Sequence, residues 1–251
     1  MRSARSRGES GRRALLCGAG MKKGMFYGVG LGPGDPELVT LKALRVLQGV
    51  GRIYAVASRQ SDRSVSGAVI AALPGITAEL VELEFTMSTD WGERLARIDA
   101  HASAIHAELA CGADCAFVSI GDPMTYSTCS YLLRSLRRLD PGLAFEIVPG
   151  VNSWSALAAK CGEPLCEDRE ILRIVPSYSI AEGEAPELPE CSTTVLLKTY
   201  RTRNRLLEAL PPEARVLYGA NLGLDNETYS SRRDEIDALP EAYLSMLAVK
   251  K

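Results

Sequence analysis

The chain has 251 residues, of which 46% are hydrophobic and 24% are charged, and its formal net charge is -2 at pH 7. This composition is typical of a globular protein and gives no support to a general role in binding nucleic acid or anionic membranes. Only 6% of the residues are aromatic, which disfavours a surface for stacking bases. No apolar run approaches the ~20 residues that span a bilayer.

Residues 1–24 differ from the rest of the chain because they are rich in Arg, Ser and Gly. We interpret them as a disordered basic tail, with an organelle targeting peptide as the alternative. Met21 and Met25 stand just before the first predicted strand, so the tail could lie upstream of the natural start. The seven cysteines are scattered along the sequence, which suggests reduced thiols in a cytoplasmic protein.

The first predicted elements are a strand at 25–31 and a helix at 36–48, joined by the glycine-rich turn 30–36 (Gly-Leu-Gly-Pro-Gly-Asp-Pro). We expect Asp35 to cap the helix and Pro36 to occupy its first position. The helix should bury a row of leucines: Leu38, Leu41, Leu44 and Leu47.

This turn predicts the kind of ligand that would bind beside it. Glycine-rich strand-to-helix turns usually bind dinucleotides or phosphates. Counted from Gly28 and Gly30, however, the third glycine of a dinucleotide fingerprint would fall at Pro33, and no acid lies near the end of the next strand, 52–57. Asp35 and Glu37 also place negative charge where a phosphate would bind. The turn therefore suits a neutral or cationic ligand, unless it only connects the strand to the helix.

Strand and helix signals then alternate along the chain. Strands are predicted at 52–57, 79–84, 115–120 and 144–148, and helices at 64–73, 91–110 and 125–139. This series predicts a mostly parallel sheet with helices on its faces. A helix at 153–160, capped by Asn152 or Ser153, precedes strands at 171–175, 193–198, 214–219 and 242–249 and a helix at 202–209, which predicts a mixed sheet. We expect an α/β protein with an N-terminal domain at 25–142 and a C-terminal domain at 143–251.

A metal site is not expected. His101 and His106 are the only histidines, and five residues on a helix separate them by about 140°. The cysteines lack the usual Cys-x-x-Cys zinc spacing. A solvated helix explains the two histidines better than a shared metal ion.

Several motifs resemble those of the tetrapyrrole methylases. They are Gly-x-Gly-Pro-Gly-Asp at 30–35, Leu-x-Thr-Leu-Lys-Ala at 38–43, Gly-Asp-Pro at 121–123 and Val-Pro-Gly-Val at 148–151. Two further segments, at 121–128 (Gly-Asp-Pro-Met-Thr-Tyr-Ser-Thr) and 84–90 (Glu-Phe-Thr-Met-Ser-Thr-Asp), resemble those of the members that methylate C20 of precorrin-2 or cobalt-factor II. The resemblance covers about residues 25–250.

The resemblance implies an S-adenosyl-methionine-dependent methyltransferase of cobalamin biosynthesis. Members of the family are homodimers of two α/β domains with the methyl donor in the cleft between the domains, and the substrate is a reduced tetrapyrrole. S-adenosyl-methionine carries a sulfonium cation and no phosphate, so an acidic first turn would tolerate it. Neither nucleic acid nor a membrane is expected as a partner.

Carried over by position, the resemblance also implies site residues. The cofactor-binding positions are Pro33, Ile120, Gly121, Asp122, Thr125, Asn152, Ser153, Lys198 and Ala220. Ile120 replaces a glycine of the family motif, and Lys198 replaces a more usual apolar residue. Tyr126 and Asp122 are candidates for the base that removes the C20 proton, although Tyr126 could simply pack against its surroundings.

The substrate carries many carboxylates, which favours arginine contacts. The candidates for substrate binding are Met87, Asp90, Arg94 and Arg59. Their structural alternatives are a core methionine, a helix N-cap and solvated surface charges.

Two other functions remain open from the sequence. One is a nucleotide-dependent oxidoreductase on a doubly wound sheet, which Pro33 and the missing acid disfavour. The other is a non-catalytic tetrapyrrole carrier, which would retain the fold without turning over the methyl donor.

Overall fold

The computed structural model describes residues 22–57, 64–86, 88 and 90–251. The chain forms two compact units. The first contains the described residues up to Gly32 together with Pro36–Val151, and the second contains Pro33–Asp35 and Asn152–Lys251.

The first unit contains a five-stranded sheet in which every neighbouring pair of strands is parallel. Its strands are β1 Phe26–Gly30, β2 Arg52–Val56, β3 Glu79–Leu83, β4 Cys115–Ser119 and β5 Phe145–Val148. Their order across the sheet is β3-β2-β4-β1-β5. Because all five strands point the same way, the loops that follow them meet at one edge, as the sequence predicted for this part of the chain.

Helices cover both faces of this sheet, and each face has its own apolar core. The helices are α1 Leu41–Gly49, α2 Val65–Ala72, α3 Trp91–Ala110 and α4 Thr128–Leu139. Phe26 and Phe117 of the sheet pack with residues of α3 and α4, whereas Val29 and Ile53 pack with residues of α1 and α2. Burial on both faces explains why these strands read as continuous apolar runs in the sequence.

The helix after the first turn begins later than predicted. Pro36–Leu38 forms a separate single 3-10 turn, and α1 starts at Leu41. Thr40 caps α1, because its hydroxyl accepts a 3.1 Å hydrogen bond from the amide of Ala43. The predictions that Asp35 caps this helix and that Pro36 opens it are therefore wrong. Leu41 lies at the helix start and is 78% exposed, so the predicted buried row of leucines is wrong at that position.

The second unit contains a mixed sheet, as predicted. Its strands are β6 Ile171–Pro176, β7 Ser192–Leu197, β8 Arg215–Ala220, β9 Thr228–Ser230 and β10 Ser245–Lys250, in the order β6-β7-β10-β8-β9. β6 and β7 are parallel, and the other neighbours are antiparallel. The helices are α5 Ser153–Cys161, α6 Arg203–Ala209 and α7 Arg233–Ile236. The sequence analysis did not predict β9 or α7.

The strand β5 belongs to the first unit. It pairs in parallel with β1, from Phe26 opposite Phe145 to Val29 opposite Val148. The compact units therefore divide after Val151, whereas the sequence placed the domain boundary after residue 142. The turn near residue 142 joins α4 to β5 within one unit.

The cysteines and histidines of the described residues do not come together as a metal site. Cys115, Cys129, Cys161, Cys166 and Cys191 are free thiols, as the expectation of reduced thiols requires at these positions. The ring of His101 forms a 2.8 Å hydrogen bond with the carbonyl of Glu84, and His106 lies 3.7 Å from Asp140. Within the described residues, no group of three or more His, Cys, Asp or Glu could hold a metal ion. No helix there is long and apolar enough to cross a membrane.

Candidate functional site

Three glycines meet where β1, β4 and β5 end. A Cβ atom at Gly30 would lie 2.5 Å from the nitrogen of Gly150 and 2.7 Å from the carbonyl oxygen of Gly121. A Cβ at Gly150 would overlap that same oxygen of Gly121 and lie 2.9 Å from the Cα of Gly30. No larger residue fits at Gly30 or Gly150 without moving backbone, so these glycines let three loops touch directly.

Backbone hydrogen bonds hold the first two of these loops together. The amide of Leu31 donates to Ser119 at 2.9 Å, and the amide of Gly121 donates to Gly32 at 2.6 Å. Gly32 and Gly121 have φ values of +73° and +74°, which side-chain-bearing residues adopt at a cost. A Cβ at Gly121 would have no other atom within 4 Å. The backbone at Gly121 therefore borders open space.

Asp122 links two of the loops through its carboxylate. One oxygen accepts a 2.8 Å hydrogen bond from the amide of Met124 and lies 3.4 Å from the hydroxyl of Thr125. The other oxygen accepts a 3.2 Å bond from the amide of Gly150. Both oxygens thus hold the loop in shape, which favours a positioning role for this side chain.

Tyr126 follows in a strained conformation. Its φ is +49°, in the left-handed region that bulky residues rarely occupy, and its side chain is 48% exposed. The next residue, Ser127, caps α4 through the amide of Cys129 and lies 2.7 Å from the hydroxyl of Ser119. The loop is therefore closed at its base by two serines, and this closure holds Tyr126 in its strained conformation.

Ile120 and Cys129 lie beside this loop, but their side chains are not candidates for polar contacts or catalysis. Ile120 is partly buried against the core on the α1–α2 face, so a contact to a ligand would come from its backbone. Burial, with a smaller contribution from the Asp122 carboxylate, raises the pKa of Cys129 to about 12. The Cys129 thiol therefore stays protonated and is not a nucleophile.

In the second unit, the segment Pro33–Asp35 packs against the loop that follows β8. A Cβ at Gly34, where φ is +152°, would lie 2.7 Å from the carbonyl oxygen of Leu222. A Cβ at Gly223, where φ is +78°, would overlap the amide nitrogen of Asp35. Two more glycines thus permit close backbone contact, and they fix the position of Pro33.

Asn152 occupies the N-cap position of α5, but its side chain makes no capping hydrogen bond. The prediction of a capping side chain is therefore wrong for Asn152. Its backbone carbonyl accepts from the amides of Ser155 and Ala156. Both Asn152 and Ser153 are partly exposed. Their polar groups and the first amides of α5 can therefore serve a polar ligand.

Lys198 and Ala220 lie at one edge of the second sheet. Lys198 follows the last residue of β7, and Ala220 is the last residue of β8. These two strands flank β10, whose first residues pair with Leu197 and Ala220. Lys198 has a φ of +59°, and its carbonyl accepts a 2.6 Å bond from the hydroxyl of Ser177. The structure thus brings these two predicted positions together at the edge where β6, β7 and β8 end.

The predicted substrate-binding residues divide into described and undescribed positions. Arg59 and Met87 lie outside the described residues. Asp90 caps α3, since its carboxylate accepts a 3.1 Å bond from the amide of Glu93, and Arg94 lies 5.2 Å above the ring of Trp91. The structure therefore gives Asp90 the N-cap role that was its structural alternative, and keeps Arg94 at the start of the same helix.

The loops at 30–38, 120–127 and 148–153 contain acids but no Lys or Arg. Phosphates in proteins are held by basic side chains or by free helix N-termini. The three loops therefore offer a ligand backbone groups and acidic side chains but no basic side chain.

These features define an α/β protein with glycine-lined, cation-free ligand loops at the carboxyl ends of a parallel sheet. The model of the tetrapyrrole (corrin/porphyrin) methylases matches residues 25–237, and the chain belongs to that family.

Three comparisons place the chain within the family. It is 34% identical to the cobalt-precorrin-2 C(20)-methyltransferase of Salmonella typhimurium over 178 residues, which cover 70% of this chain and 73% of that protein. It is 30% identical to the precorrin-2 C(20)-methyltransferase of a Sinorhizobium species over 209 residues, covering 79% and 82%. The structure of uroporphyrin-III C-methyltransferase from Thermus thermophilus complexed with S-adenyl homocysteine matches with a TM-score of 0.60 and 26% identity, covering 90% of this chain and 92% of that one.

Proposed function

We propose that this chain is an S-adenosyl-methionine-dependent methyltransferase that methylates C20 of the precorrin-2 skeleton in cobalamin biosynthesis, with the cobalt-bound form as its preferred substrate. The observation that carries the proposal is the junction of Gly30, Gly121 and Gly150 in a chain whose relatives include C20-methyltransferases. That junction suits a ligand gripped by backbone groups.

The methyl donor supplies an electrophilic methyl group on a positively charged sulfur. The residues we propose to hold it are those that the family resemblance implies: Pro33, Ile120, Gly121, Asp122, Thr125, Asn152, Ser153, Lys198 and Ala220. The open backbone at Gly121 and the uncommitted cap position at Asn152 support this set. The absence of Lys and Arg from the three loops also supports a ligand that bears a cation.

The protein mainly has to align the acceptor carbon with the methyl group, so proximity and orientation should supply most of the rate enhancement. The C20 proton must leave after methyl transfer, and the hydroxyl oxygen of Tyr126 is proposed to accept it while the phenol proton passes to solvent. The exposed, strained position of Tyr126 in the loop between β4 and α4 supports this role. Asp122 would hold the Tyr126 loop in place, since its oxygens already accept hydrogen bonds.

Arg94, Asp90, Arg59 and Met87 remain the proposed substrate-binding residues. The proposal includes a cytoplasmic homodimer, which is the assembly that the family resemblance implies.

The test is an anaerobic assay with ¹³C-methyl-labelled S-adenosyl-methionine. Cobalt-precorrin-2, metal-free precorrin-2 and uroporphyrinogen III are offered separately, and any new methyl group is located by mass spectrometry and NMR. We expect a methyl group at C20, with the higher kcat/KM on the cobalt-bound substrate.

Methylation of uroporphyrinogen III instead, or at a ring position other than C20, would refute the regioselectivity. A higher kcat/KM on metal-free precorrin-2 would reverse the substrate preference and leave the C20 assignment in place. Tight binding of a tetrapyrrole with no turnover would instead identify a carrier.

A further inference from the structure

A cluster of cations and tyrosines lies at the edge of the second sheet where β6, β7 and β8 end. Lys198 Nζ lies 5.6 Å above the ring of Tyr178, and the Arg201 guanidinium lies 5.1 Å above the ring of Tyr200. Tyr200 and Tyr243 form an edge-on pair with centroids 6.3 Å apart. We call these five residues the tyrosine–cation cluster.

The cluster faces solvent although it contains large aromatic rings. Tyr178 is 67% exposed and Tyr243 is 55% exposed, and Lys198 and Arg201 are exposed as well. Burying these exposed rings against a ligand would be favourable.

The backbone at this edge is strained at both cations. Lys198 and Arg201 have φ values of +59° and +63°, a region where glycine would be unstrained. Such strain persists when the surrounding structure imposes it, and it concentrates at functional sites. Two strained cations within four residues therefore point to a role for their side chains.

A layer of buried hydroxyls imposes this conformation from below. Thr199 donates a 2.9 Å hydrogen bond to the hydroxyl of Ser245, and its amide donates to the Ser245 carbonyl at 3.2 Å. Thr202 donates to Ser177 at 3.1 Å, and Ser177 donates to the Lys198 carbonyl at 2.6 Å. Since Ser177, Thr199 and Ser245 are buried, the loop is rigid and presents its cations in a fixed geometry.

A neighbouring arginine, Arg203, differs from Arg201 in its environment. Arg203 is only 3% exposed; it stacks on Tyr218 and donates to the carbonyl of Leu239 at 2.8 Å. Arg203 therefore supports the fold. A guanidinium stacked on a ring, as in Arg201, still presents N–H groups at its edge for a carboxylate.

From these observations we infer that the tyrosine–cation cluster binds the tetrapyrrole substrate, with Arg201 contacting a peripheral carboxylate and the exposed tyrosine rings contacting the macrocycle. The inference rests on the proposed function, because it names substrate contacts for that reaction. It adds a recognition surface in the second unit to the candidates in the first.

The test compares Arg201→Gly, Arg201→Lys and the control Arg215→Gln. Glycine removes the side chain and suits the positive φ, so the variant should fold with an unchanged or higher Tm. Arg215 is also an exposed arginine; it lies at the start of β8, at the other end of the same strands, where it pairs with Glu163. Dissociation constants are measured by anaerobic absorbance titration with cobalt-precorrin-2 and with precorrin-2, and by calorimetry with S-adenosyl-homocysteine.

We expect Arg201→Gly to weaken tetrapyrrole binding about tenfold, as loss of a charge-assisted hydrogen bond predicts. Binding of S-adenosyl-homocysteine should be unchanged, Arg201→Lys should recover part of the affinity, and Arg215→Gln should match the wild type. The wild-type affinity should also fall with added salt while that of Arg201→Gly changes less.

Equal tetrapyrrole affinity of Arg201→Gly and wild type would overturn the inference while leaving the proposed function intact. A wild-type protein that binds S-adenosyl-homocysteine but neither tetrapyrrole would overturn the proposed function itself. The two failures are therefore distinguishable.

Discussion

The two sheets of this protein differ in the residues that follow the ends of their strands. At the edge of the first sheet, Gly30, Gly121 and Gly150 bring backbone against backbone. At the edge of the second sheet, side-chain-bearing residues occupy the left-handed conformation, among them Lys198, Arg201 and Asn221. The first edge is suited to contacts through backbone groups, and the second to contacts through side chains. Glycines thus allow close backbone contacts at the strand ends of the first sheet, whereas strained non-glycine residues present side chains at the strand ends of the second.

The largest expected effect comes from adding one methyl group to the first edge. In Gly150→Ala, the new Cβ would overlap the carbonyl oxygen of Gly121, and backbone cannot move aside as a flexible side chain can. We expect a loss of about 3 kcal/mol in the free energy of unfolding and loss of methyl transfer. Urea denaturation and the labelled-methyl assay measure the two quantities.

Gly49→Ala is the matched control, because a Cβ there meets no atom within 4 Å at the end of α1. It should be neutral or gain up to about 1 kcal/mol. Wild-type stability and activity in Gly150→Ala would show that the three loops are not in close contact.

Substitutions of Asp122 and Tyr126, in the loop between β4 and α4, should have effects of intermediate size. Tyr126→Phe should lower kcat about 100-fold, as loss of general-base assistance does, with unchanged binding of S-adenosyl-homocysteine. Asp122→Asn should lower kcat only about tenfold and the free energy of unfolding by about 2 kcal/mol, because an amide NH₂ would face an N–H donor. Steady-state kinetics across a pH series and urea denaturation measure both.

Tyr229→Phe, at another exposed tyrosine, controls for loss of a hydroxyl. If Asp122→Asn instead retains wild-type stability and loses the acidic limb of the pH profile, Asp122 is the base and Tyr126 is not.

The smallest effect is expected away from both edges. Asp140, at the end of α4, accepts a 2.7 Å hydrogen bond from Lys23, and this bond is the main cause that lowers the pKa of its carboxyl below 3.8. A lowered pKa in the folded state stabilises the fold above the ordinary pKa, and this contribution disappears as the pH falls through the folded-state value. Asp140→Asn should therefore flatten the loss of stability between about pH 5 and pH 2.

Thermal unfolding across that pH range measures the change, and methyl transfer at neutral pH should match the wild type. An unaltered acid limb in Asp140→Asn would show that the ion pair does not contribute.

Much of the fold was predictable because the apolar runs are long and regularly spaced. The strands at 115–120 and 144–148 and the helix at 91–110 needed only periodicity and turn residues. The start of α1 was mispredicted because Asp35 and Pro36 together are a strong sequence signal for a helix start. In the structure, Thr40 caps the helix by accepting a hydrogen bond from the amide of Ala43. β9 and α7 span three and four residues, which is too short for a periodic pattern.

The candidate site was less predictable than the fold. Motif positions located the loops, but the hydrogen bond between Gly150 and Asp122 joins residues 28 positions apart, and no local pattern encodes such a contact. The exposure of Tyr178 and Tyr243 had no sequence signal either. A positive φ at Tyr126 or Arg201 is imposed by surrounding hydrogen bonds and so appears only in three dimensions.

The position of β10 in the second sheet has a consequence for biosynthesis. β10 is central, between β7 and β8, yet it follows both of them in the chain by at least 24 residues. During translation, β7 and β8 leave the ribosome long before the strand that joins them, while the five strands of the first sheet are already complete. The second sheet therefore closes late and through non-local pairing, which is intrinsically slow.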